Sequence, residues 1–190
     1  MIQDAASFLA YWRNARSRTV RVLAALEPGD LEWAPMPGLF TFGDLFRHLA
    51  GLERFMFAEN AQGRPSIYPG HGAELGSGLD GVRAYLDRCH GEALAIFGRL
   101  TDADLLAPCQ NPAGAEMATP PDVPSTGGHS RSFVAESEPR KWLRAMSEHE
   151  AHHRGQLYLM ASQRHRVVAP LFGLTEEELA ARSRASSTSP

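Results

Sequence analysis

Cysteine is scarce in this sequence: Cys89 and Cys109 are its only two among 190 residues. Two are too few for a disulfide framework or a cysteine-based zinc site, and a reducing, cytoplasmic setting is the expectation they leave. Long apolar runs are also missing. No stretch approaches the roughly 18 apolar residues a membrane-spanning helix needs. Neither sign of charge dominates: the net charge is -3 and the isoelectric point about 6.2, so no strongly basic face for nucleic acid is expected. The opening Met1-Ile2-Gln3-Asp4 lacks a basic-then-apolar profile, so no secretory leader is expected there. There is no internal repeat. What is present is 43% apolar residues, enough to give a chain of this size one substantial core.

The apolar residues fall into four periodic segments. Over roughly Ile2 to Leu26, the residues Phe8, Trp12, Ala15, Thr19, Val22 and Leu26 alternate steps of four and three, a helical stripe closed by Pro28, Gly29 and Asp30. The proline-containing stretch from Leu31 to Phe40 reads as an ordered loop. Thr41 then opens a second helix. Its hydroxyl can accept from the amide of Asp44 while the Asp44 carboxylate reaches back, and Leu45, Leu49, Leu52 and Met56 line one face. After a connection rich in glycine and proline, Leu79, Val82, Leu86, Cys89, Ala93, Ile96 and Leu100 form the cleanest stripe in the chain, with Cys89 read as a buried apolar residue. Residues 107–138 carry five prolines and no sustained period, as a lid, binding loop or disordered insertion would. The fourth helix starts near Ser137-Glu138-Pro139 and carries Trp142, Met146, Leu157 and Met160. The expected fold is all-α, a four-helix bundle with long connections over residues 1–174. A short capped helix at Thr175-Glu176-Glu177-Glu178 and a disordered tail complete 175–190.

Three of the eight histidines crowd into the fourth helix, in Glu148-His149-Glu150-Ala151-His152-His153-Arg154-Gly155-Gln156. Residues four apart lie about 40° from each other on neighbouring turns, so His149 and His153 can clasp one ion. The apolar stripe through Trp142, Met146, Leu157 and Met160 passes by both, so both imidazoles should point into the bundle. Buried imidazoles need partners for a donor and an acceptor, and a metal satisfies the acceptor. His152 competes with His153 but sits towards the rim of the stripe. His48, three residues after Leu45 and four before Leu52, is the natural third ligand. Taken alone, a histidine there is more often a hydrogen-bonded residue at the core edge than a ligand. Three imidazoles would leave coordination positions open, as a catalytic site requires. His71 and His129 in glycine-rich loops, His90 beside the third stripe and His165 at a helix end are not expected to reach the metal.

Two stretches carry a resemblance to a known family. Thr41-Phe42-Gly43-Asp44-Leu45-Phe46-Arg47-His48-Leu49-Ala50-Gly51-Leu52-Glu53 and His149-Glu150-Ala151-His152-His153-Arg154-Gly155-Gln156-Leu157 look like the DinB/YfiT-like family of metal-dependent enzymes, which is unrelated to the DNA polymerase sharing part of that name. Pro170-Leu171-Phe172-Gly173-Leu174 matches a further family habit. The resemblance covers roughly Ile2 to Leu174. It implies a four-helix bundle, often a homodimer, with one divalent metal on His48, His149 and His153. Members with known activity are mostly thiol S-transferases or isomerases using bacillithiol, mycothiol or glutathione. The insertion at 107–138 departs from compact members.

The reading implied is a transferase in which Zn²⁺ or Ni²⁺ activates a low-molecular-weight thiol against a small electrophile, with no catalytic residue assigned outside the triad. Imidazole suits copper and iron as well, so ligand type alone leaves the metal open. A second reading is hydrolysis, because His149-Glu150-Ala151-His152-His153 satisfies HExxH with Glu150 as base. Against it, Gln156 stands where the longer peptidase pattern has glycine. Glu150 is also expected off the apolar stripe, facing solvent or a neighbouring helix. A third is a non-catalytic metal-binding or ligand-sensing bundle. Among smaller features, Arg154 has Glu53 as a possible partner, Gly155 suggests a close helix or backbone approach, and Trp33 and Trp142 read as core or dimer-interface residues.

Overall fold

A computed structural model of the protein describes residues 2, 4–107, 138–171 and 173–186. Its long elements are α1 (Ala5–Ala24), α2 (Phe42–Leu52), α3 (Gly78–Phe97), α4 (Pro139–Gln163) and a short α5 (Glu176–Ser186). No strand occurs among the described residues. The proline-rich insertion, and Cys109 and His129 within it, lie outside the described residues apart from its two ends.

Local chemistry sets the helix ends. Asp4 caps α1 by accepting from the amide of Ser7 at 2.7 Å. The expected capping box of α2 is present in both directions. Thr41 Oγ1 accepts from the Asp44 amide, and Asp44 Oδ2 accepts from the Thr41 amide, each at 3.0 Å. Pro139 occupies the first turn of α4, where it forfeits no helical hydrogen bond. Thr175 and Glu178 form a similar reciprocal pair ahead of α5.

α2 does not end at Leu52. It runs on through a π-turn, Glu53–Phe57, and one further turn, Ala58–Asn60. The extra residue shifts the phase, so Phe57 is buried where a regular helix would bury Met56. The four long helices form a ring in which α1 and α2 each neighbour α3 and α4. α2 and α4 thus face each other across one seam.

The core has two apolar clusters. One gathers Val22, Phe42, Leu45, Leu49, Leu86 and Leu157, and the other Phe8, Trp12, Phe57, Phe97, Leu143 and Met146. A buried ionic layer lies between them. Arg16 of α1 pairs with Glu53 of the π-turn and, at 3.2 Å, with Glu150 of α4. Trp12 Nε1 donates to Glu53, His90 Nδ1 lies 2.7 Å from the same carboxylate, and Thr19 donates to Glu150.

This layer corrects the expected α4 stripe. The buried line runs Leu143, Met146, Glu150, His153, Leu157 and Met160, so it passes through Glu150 and leaves Trp142 half-buried. A carboxylate does not look like a core residue in a sequence. Here its charge is matched by a guanidinium from the facing helix.

Candidate metal centre

The seam between α2 and α4 brings three imidazoles together. His48, His149 and His153 each offer a ring nitrogen, and these nitrogens all lie within 4.8 Å of one another. His48 Nε2 and His149 Nε2 are 3.1 Å apart. Ring centroids stand 5.0, 4.9 and 4.5 Å apart for the pairs 48–149, 48–153 and 149–153. His153 is buried on the α4 stripe, while His48 and His149 are half-buried at its edge. The group therefore opens on one side and is not sealed inside the bundle.

Two of the remaining ring nitrogens, those of His48 and His153, are held by hydrogen bonds. His153 Nδ1 bonds Gln156 Oε1 at 2.6 Å, one helical turn on. His48 Nδ1 bonds the Tyr68 hydroxyl at 2.8 Å. Phe40 packs on His48 and Phe57 on His149, with ring centroids 5.4 and 5.8 Å apart. Burial lowers all three imidazole pKa values. That of His48 falls to about 4, helped by the charge of His153, and that of His149 to about 3, helped by His153 and His48. At neutral pH the rings are uncharged, so each has one nitrogen with a lone pair that it can offer a cation.

The residues fit a metal ion. Two nitrogens on a tetrahedral Zn²⁺, with bonds of about 2.0–2.1 Å, would be roughly 3.3 Å apart, close to the spacing of His48 and His149. Three neutral nitrogens from two helices, two of them braced by hydrogen bonds at the far side of the ring, are what such an ion needs.

Other expectations fare differently. His152 is exposed, and its ring lies edge-on to His153 at 4.8 Å without joining the group. His90 belongs to the ionic layer and His165 to the end of α4. His71 offers the metal no nitrogen but bonds Tyr68. Glu53 is taken by Arg16, and Arg154 instead approaches the carbonyl of Ala15 at 3.5 Å. Gly155 has no close neighbour: nothing lies within 4 Å of where its Cβ would stand. Sequence reasoning missed Tyr68 and Gln156. Gln156 had a readable signal, the helical i,i+3 spacing from His153. Tyr68 had none, since a loop contact across 20 residues leaves no periodicity.

Fold and site together define a helical bundle with an open three-histidine group able to hold a metal. The model of the DinB superfamily matches residues 11–157, and the chain belongs to that superfamily. Similar crystal structures include two of DinB-like proteins. A DinB-like protein from Bacillus cereus shares 17% identity at a TM-score of 0.66, covering 90% of this chain and 99% of that one. A DinB-like protein from Bacillus subtilis shares 14% at a TM-score of 0.62, covering 86% and 96%. At these identities the likeness speaks for the fold alone. No curated protein matches the chain significantly.

Proposed function

We propose that this protein is a metal-dependent enzyme, a thiol S-transferase that acts on a small electrophile. His48, His149 and His153 would hold one Zn²⁺ or Ni²⁺. The observation that carries the metal reading is the convergence of three neutral ring nitrogens across the α2–α4 seam. When bound, such an ion supplies a Lewis acid that brings the pKa of a thiol towards neutrality. The protein's part is to fix the three rings, to keep water from two flanks with Phe40 and Phe57, and to leave one side open.

Glu150 separates this reading from HExxH hydrolysis. Its carboxylate is buried and engaged by Arg16 and Thr19. Burial raises its pKa and Arg16 only partly offsets this, so it is a member of the ionic layer and not a base at the mouth. The thiol itself is supported by the family resemblance, as is a homodimer in solution. A screen of thiols against electrophiles with metal-loaded protein tests the reaction. Thiol-dependent consumption of at least one electrophile, kept in Glu150→Gln, is expected. Metal-loaded protein that turns over nothing across a broad panel would refute the transferase and favour a binding or sensing role.

A further inference from the structure

The glycine-rich connection between α2 and α3 is seated on the metal centre at defined points. The Ile67 amide donates to the Phe55 carbonyl at 3.0 Å. Buried Arg47 of α2 donates from Nε to the Gly76 carbonyl at 2.9 Å. Pro69 rests on Gly51 of α2, where a Cβ would come within 2.9 Å of the proline ring. Gly70 turns the chain with a φ of +87°, which other residues rarely adopt. These constraints deliver Tyr68 and His71 to His48. The Tyr68 hydroxyl stands 2.8 Å from His48 Nδ1 and 2.8 Å from His71 Nδ1. Phe40 packs on both imidazoles, 5.4 Å from His48 and 4.6 Å from His71.

We propose that Tyr68 and His71 are positioning residues for the metal site, acting through His48; this rests on His48 being a ligand. A neutral imidazole has one nitrogen with a lone pair and one with a hydrogen. His48 Nε2 faces His149, so binding an ion there requires the hydrogen on Nδ1. That hydrogen goes to the Tyr68 oxygen. The hydroxyl hydrogen of Tyr68 in turn finds its acceptor in His71 Nδ1. The chain runs in one direction, and the opposite order would put a hydrogen on Nε2 and block ligation. His153 is braced within its own helix by Gln156, whereas His48 depends on the loop. Removing such an outer hydrogen bond commonly costs metal sites about 10–100-fold in affinity.

The test is Zn²⁺ affinity of the full-length apo protein, measured by competition with a chromophoric chelator, with apo melting temperature recorded alongside. Tyr68→Phe should weaken zinc binding about 10–100-fold while the apo melting temperature stays unchanged. His71→Leu should weaken it in the same direction. His71→Asn, whose side-chain oxygen can accept in place of Nδ1, should keep most of the affinity, a rescue that a packing role for His71 would not give. The double variant Tyr68→Phe/His71→Leu should bind no more weakly than Tyr68→Phe alone. Unchanged affinity in Tyr68→Phe, or fully additive losses, overturns the proposal and leaves the metal site standing. A wild-type protein that binds no zinc overturns both.

Discussion

Arg16 is the residue on which the interior most depends. Its guanidinium is nearly fully buried and faces two buried carboxylates, Glu53 and Glu150. Burial would raise the pKa of Glu53, yet Arg16, with His90 and Trp12, outweighs it and holds that carboxyl below its usual range. Removing the cation strands both acids. Arg16→Ala should lower stability by about 3–5 kcal/mol in urea denaturation. The histidines give a second prediction at this scale. His48 and His149 titrate near 4 and 3 when folded, below the 6.5 of an unfolded histidine. The unfolded chain therefore binds protons first, and the stability they contribute, complete above about pH 6.5, is lost as pH falls towards 4 and 3. The urea midpoint of apo protein should drop across this window. The drop should be smaller in His48→Gln, and equal slopes in the two proteins would contradict the burial of that imidazole.

The helices themselves were largely legible. The stripes of α1 and α3, the Thr41–Asp44 box and the proline start of α4 are local patterns, and local patterns survive folding. Three features were not legible. The π-turn at Glu53–Phe57 has no sequence mark and shifts burial from Met56 to Phe57. Glu150 belongs to the core because Arg16, from the far end of the chain, faces it. Tyr68 and His71 reach His48 through a loop whose path Gly51 and Pro69 set. The last two depend on contacts distant in sequence. Gly155 is the opposite case: the structure gives it no close neighbour, so its small size is unused. Gly155→Ala should therefore stabilise α4 by roughly 0.5–1 kcal/mol, read as a higher urea midpoint. A destabilised variant would show that something contacts this position after all.

At the scale of the whole molecule, the bundle divides its labour by layer. Two apolar clusters hold the four helices, the ionic layer between them ties α1 and α3 to Glu53 and α1 to Glu150 of α4, and the histidines open at the α2–α4 seam. Among the described residues no helix is long and apolar enough to cross a membrane. Because the metal would bridge α2 and α4, it should stabilise the folded state by linkage. Zinc in excess should raise the melting temperature of wild type, and that rise should vanish in His149→Ala.

The central claim is that His48, His149 and His153 form one metal site. Metal content after loading with Zn²⁺ or Ni²⁺ and desalting tests it most directly, comparing wild type with single alanine variants at 48, 149, 152 and 153. One ion per chain is predicted for wild type and for His152→Ala, with loss at each of the other three positions. Undiminished metal in His48→Ala, or loss in His152→Ala, would contradict it.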